Sequence, residues 1–202
     1  MIVTHQGKMP RIDPAAYVAP TATICGDVTV GAGSRIMFGA QVIAEGGSIE
    51  IGRECIVMAN AVLRAGERHP LTVGNNCLIG PVSHVVGCRI EDEVFIATGA
   101  AIFHGAEIGK GSEVRVNAVV HLKTRLPAGS MVPIGWVAVG DPATMFPPGA
   151  HDEIWAIQRT LDFAGTVTGL DPAALAGGAM EALTGAYADL YGRHRDDRTV
   201  AG

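Results

Sequence analysis

Between Val73 and Val132 an aliphatic residue returns at almost every sixth position, as at Val73, Ile79, Val85, Ile90, Ile96 and Ile102, and on through Ile108 to Val132. Only the step from Val85 to Ile90 is one residue short. A small residue tends to follow four positions after each aliphatic, as at Cys77, Ser83, Ala100, Ala106 and Ser112. A six-residue period matches neither a helix at 3.6 residues per turn nor an alternating strand at two. It does match a solenoid in which each hexapeptide supplies one short strand and one corner, with the aliphatic inside and the small residue at the bend. Coils then stack so that each buries the face of the next. A glycine-rich β-sandwich with accidental spacing is the competing reading, and nine or more in-phase repeats weigh against it. The sequence therefore specifies an all-β solenoid, a parallel β-helix of hexapeptide repeats.

The period sets the expected organisation. Residues 1–17 read as a polar lead-in carrying Pro10 and Pro14. Repeats run from Val18 to about residue 141, interrupted by the insert Glu45-Gly46-Gly47 and by a longer loop over residues 65–72. Beyond Pro142 the period turns helical. Ile154, Trp155, Ile157, Leu161 and Phe163 are spaced for one helix. Asp171-Pro172 is a good N-cap and first-turn pair for a second, with Leu175, Met180, Leu183, Tyr187, Leu190 and Tyr191 on one face. The expected C-terminal segment, 142–195, packs helices on the outside of the coils, with Trp136 and Trp155 as anchors, and residues 196–202 read as a frayed tail.

Composition narrows the function classes. Aromatics are 5% of residues, as suits an interior of stacked Ile, Val and Leu. A formal net charge of −5, with no long basic run, gives no nucleic-acid groove or membrane-surface patch. Met1–Pro10 lacks a signal-peptide core, no apolar run approaches the ~18 residues of a span, and a cytoplasmic location is expected. Cys55 and Cys77 occupy corner positions and Cys25 and Cys88 lie within repeats, so all four read as small buried thiols rather than disulfides.

Several stretches resemble the gamma-class carbonic anhydrases over about residues 10–150. They are AYVAPTATICGDVTVG, the junction HPLTVGNNCLIG, the short step Val85-Val86-Gly87-Cys88 and the exit GDPAT. The resemblance implies a left-handed β-helix, a homotrimer, and metal sites shared between subunits. In that family three histidines bind the metal. The positions that match here are Arg64, Pro81 and Val86. Proline and valine have no donor atom, and arginine stays protonated at neutral pH. A catalytic zinc normally needs three protein ligands and an open position for water. Without them no bound water reaches a pKa of roughly 7. The family's Arg-Gly-Asp string is also replaced, by Ala44-Glu45-Gly46, and its Gln-Asp pair by Met58-Ala59. Zinc is therefore not expected at the family site, and neither is CO2 hydration.

Of seven histidines, His84, His104 and His121 fall within the coils. Arg64, Val86, Phe103 and His121 share an outward column, on the side that the resemblance turns toward a neighbouring subunit. Three readings stay open. The histidines are interface or surface residues bonded to backbone; or they form a relocated metal site; or they form a metal-free pocket. In the last, Arg64 holds a carboxylate or phosphate, His84 and His104 act as acid or base, and Phe103 and His121 complete the binding surface. A coenzyme A-dependent acyltransferase is the enzyme alternative, with Lys123 and Arg125 near coenzyme phosphates. A non-catalytic trimeric scaffold is the structural one. The loop residues Arg68 and His69 read as exposed.

Overall fold

A computed structural model describes residues 1–171 and 179–200. The chain is a left-handed parallel β-helix of about eight turns with three flat faces. One face has ten strands, of which the two outermost pair antiparallel, and the other two have seven parallel strands each. The expected stacking is present. Val42, Leu63, Val85, Ile102 and Val120 lie in register, one per coil, and each is fully buried. A coil without interruption takes three hexapeptides, as between Ile102 and Val120. The one-residue-short step makes the coil from Val85 to Ile102 tighter, and the inserts after Glu45 and Ala65 make the two preceding coils longer. All four cysteines are free and buried.

Residues 1–17 are more than a lead-in. Ile2–Thr4 pairs with Thr23–Cys25, and Arg11–Ile12 pairs with Val28–Val30, so these residues already form a coil. The last strand of the solenoid proper, Val137–Val139, is covered by the antiparallel strand Thr144–Phe146. Helix α1 (His151–Gln158) follows, with Trp155 half exposed rather than buried as an anchor. Helices α2 (Phe163–Thr168) and α3 (Ala179–Gly192) then lie over the ten-stranded face. Asp171 is described, but Pro172 and Leu175 lie outside the described residues. The inward face of α3 is Leu183, Ala186, Tyr187 and Leu190, whereas Met180 is 67% exposed.

The C-terminal tail is docked, not frayed. A 3-10 turn over Arg193–Asp196 leads to Arg198–Thr199, which pairs antiparallel with Ile2–Thr4. The C-terminal segment therefore runs along one face, from the last coil back to the first. It adds an antiparallel strand at each end of that face, Thr144–Phe146 beside the last coil and Arg198–Thr199 beside the first.

Candidate functional site

The site is built where the solenoid is irregular. Arg64, Val86, Phe103 and His121 occupy successive coils in one outward column on the ten-stranded face, as the period predicts. The loop over residues 66–70 bulges from the coil that carries Arg64. It can lie flat because Gly87, at φ +50, has no side chain: a Cβ there would come within 2.5 Å of the His69 Cβ and 3.1 Å of the His104 Cδ2. The loop, the column and the inner sides of α2 and α3 enclose a cavity of about 300 Å³.

Arg64, His84, Phe103 and His104 all line this cavity. His121 does not; its ring sits 5.8 Å from that of Phe103, behind the cavity wall. The loop residues Arg68 and His69, read from the sequence as exposed in a loop that could cover the pocket, do line it. His69 Nε2 donates to the Thr166 carbonyl at 2.9 Å, which leaves Nδ1 as the acceptor nitrogen. Its ring meets that of His104 edge-on, with centroids 5.4 Å apart. No pattern in the sequence marks His69, since a loop histidine acquires its place only when the glycine on the next coil permits contact.

The electrostatics are distinctive. Burial, followed by the nearby His69, Arg64 and His84, pushes His104 down to about 4. Burial and Arg64 also lower His84, and burial alone lowers His121. All three are therefore neutral at pH 7. The Nδ1 atoms of His104 and His121 are buried and have no hydrogen-bond partner. Such an atom costs free energy unless something completes it. Arg64 is ion-paired with the buried Glu45 and donates to the Tyr191 hydroxyl at 2.8 Å, and both contacts use Nη2. The Tyr191 ring also lies 5.4 Å from the guanidinium carbon. Burial disfavours the Arg64 charge, but Tyr191 and Glu45 more than offset it and keep the group protonated.

At the positions that the resemblance assigns to zinc ligands, the donor set does not fit zinc. Arg64 is held as a cation by Glu45, Val86 is a buried hydrocarbon, and Pro81 offers only its backbone carbonyl, which accepts from Gly99 N–H at 3.1 Å. His84, His104 and His121 do not gather as metal ligands either. Among the described residues, the one group of metal-ligand type lies elsewhere.

The chain matches no family model. It is similar to gamma carbonic anhydrase 1, mitochondrial, of Arabidopsis thaliana, at 33% identity over 130 residues, 61% of this chain and 47% of that protein. It is also similar to a carbonic anhydrase of Geobacillus kaustophilus, at 28% identity over 111 residues, 55% of this chain and 61% of that one. The chain spans about half the length of the curated relatives it matches. Among solved structures, a Bacillus cereus protein described as a "putative acetyltransferase" superposes with a TM-score of 0.56 at 27% identity, over 79% of this chain and 90% of that one. The fold class is thus the hexapeptide-repeat left-handed β-helix. Within that class the chain is similar to gamma carbonic anhydrases over about 60% of its length.

Proposed function

We propose that this is a gamma-carbonic-anhydrase-like protein that has lost the family's zinc site and with it CO2 hydration. In its place the cavity over Arg64 binds, and acts without metal on, a small molecule bearing a carboxylate or phosphate. The carrying observation is His104: a half-buried imidazole, neutral at pH 7, that lines a cavity also holding an arginine. Arg64 has donors on Nη1 and Nε beyond the Nη2 used by Glu45 and Tyr191, so it can hold an anion without breaking its ion pair. His104 would take or return a proton at the bound molecule, with His84 beside it. Phe103 would form the apolar wall, and His121 would support Phe103 from behind.

The resemblance also implies a homotrimer. Support comes from one of the seven-stranded faces, where Tyr17, Ile56, Phe95 and Met131 stand exposed in one outward column that also carries the charged Arg35 and Glu113. Exposed large apolar side chains in a row suit contact with further copies.

The test is a thermal-shift screen of small carboxylates and phosphorylated metabolites. A stabilising compound is expected, with its effect lost in Arg64→Ala and in His104→Gln. CO2 hydration by the purified wild-type protein well above background would overturn the lost-site reading. So would a panel in which every hit binds Arg64→Ala unchanged. A second reading, acyl transfer from coenzyme A, is favoured by the likeness to the Bacillus cereus structure. Saturable binding of acetyl-coenzyme A, with turnover of a hydroxyl or amine acceptor, would move the assignment there.

A further inference from the structure

Four side chains converge where the C-terminal segment reaches the first coils, outside the cavity. His5 follows the first strand and is 2% exposed; Cys25 ends the strand paired with it and is 4% exposed. His194 and Asp197 come from the 3-10 turn and the residue after it. Asp197 stands at the centre. Its Oδ1 accepts from His5 Nδ1 at 2.6 Å, and its Oδ2 accepts from His194 Nδ1 at 2.7 Å and from the Cys25 thiol at 3.7 Å. The two imidazoles stack with centroids 4.2 Å apart. One ligand atom from each of the four lies within 4.8 Å of every other.

We propose that His5, Cys25, His194 and Asp197 form a four-coordinate site for a divalent transition-metal ion, zinc above all, which staples the C-terminal segment to the first coils. Two imidazoles, one thiolate and one carboxylate are ordinary zinc ligands, and with four protein ligands the site is closed and structural rather than catalytic. Ligand atoms around tetrahedral zinc stand roughly 3.3–3.8 Å apart. The His–Asp contacts, nitrogen to oxygen, therefore open to roughly 3.3 Å as the ion enters, and the wider separations, which reach at most 4.8 Å, close by about an ångström.

Two further observations fit an ion better than a hydrogen-bonded latch. A metal-bound histidine commonly offers its other ring N–H to a carboxylate. Here His194 Nε2 faces Glu45 Oε1 at 3.7 Å, and Glu45 is itself fixed by Arg64. The second is Cys25. A latch of two histidines on one carboxylate has no use for a buried thiol in the same knot, whereas an ion does.

The proton balance is simple. In the metal-free protein burial, then the charge of Asp197, pushes the Cys25 thiol up to about 12, so it is neutral at pH 7. The ion forms the metal–sulfur bond and the thiol proton leaves to solvent. A neutral histidine that takes the ion on Nδ1 carries its ring proton on Nε2 instead. Asp197 is already ionised. One proton is released per ion bound.

The experiment uses the full chain, treated with a chelator and then titrated with Zn2+ and, for its spectrum, with Co2+. The expected result is one ion per chain, one proton released, a raised melting temperature with Zn2+, and tetrahedral Co2+ bands with sulfur-to-metal charge transfer. Cys25→Ser should abolish the charge transfer. His194→Gln, in a solvent-facing turn, should weaken uptake at least about 10-fold, and Glu45→Gln about 10-fold. His104→Gln should leave metal uptake unchanged. A wild-type protein that takes up neither ion overturns the proposal whatever the variants do. Uptake that survives Cys25→Ser and His194→Gln, or that disappears in His104→Gln, overturns it as well. The last result would place the ion in the cavity and count against the metal-free reading above, so the two readings fail separately.

Discussion

His104 is hard to protonate where it sits, and that fixes how the protein responds to acid. His69, Arg64 and His84 face it from the coils and loop, and Tyr187, Asp189 and Arg193 line the same cavity from the helical side. In the unfolded chain a histidine takes its proton near pH 6.5. In the folded chain His104 takes it only near 4. Between those values the unfolded state binds more protons, so stability is fully present above about pH 6.5 and is lost as the pH falls toward 4. Denaturant titrations across this range should show the decline. His104→Gln should flatten it, and an NMR titration of the His104 ring should find its midpoint near the lower end. Arg64 makes a second case. Arg64→Ala leaves Glu45, 7% exposed, without its cation, and should cost roughly 1–3 kcal/mol of stability by chemical denaturation. Replacing both partners, Arg64→Met with Glu45→Leu, should recover most of that loss, because no buried charge is left unpaired.

At the scale of elements, the loop over residues 66–70 and the glycine beneath it act as one unit. In Gly87→Ala the added methyl meets the His69 Cβ at 2.5 Å and the His69 carbonyl oxygen at 2.9 Å, and the backbone is held at φ +50. The loop must lift. The expected cost is about 1–3 kcal/mol, together with loss of the edge-on contact between His69 and His104, visible as a changed ring shift for His104. The strands were far more legible in the sequence than this loop. A buried aliphatic every six residues is a periodic signal, and Cys55 and Cys77 at corner positions repeat it. Even the coil assigned to a lead-in keeps the step, from Ile12 to Val18, and the final strand keeps it from Val132 to Ala138. The docked tail leaves no such trace. His5 and Asp197 are 192 positions apart and meet through one polar contact, which no spacing rule reports.

For the whole molecule, the two sides of the solenoid carry different surfaces. One face is roofed by the chain's own helices, while Ile56, Phe95 and Met131 stand exposed on another. If that stripe holds the proposed homotrimer, Phe95→Arg should give monomers by light scattering and leave the circular dichroism of the coils unchanged. Trimers that persist in Phe95→Arg and in Ile56→Arg would put the contact elsewhere. The column that carries Arg64, Val86, Phe103 and His121 was legible because register follows from period. The cavity was not, because its roof comes from helices that begin only at Phe163, beyond the last coil.

The pairing of Arg198–Thr199 with Ile2–Thr4 also sets how the molecule carries load. Val3 lies opposite Thr199 and Thr4 opposite Arg198, so the free ends of the two strands point the same way. Tension applied through both ends peels this pair apart like a zipper, one bond after another, and no coil feels the pull until the pair has opened. After that the strain falls on stacked strands. An optical trap should therefore record a soft first yield, made softer by chelator through loss of the proposed staple, followed by a stiff rise.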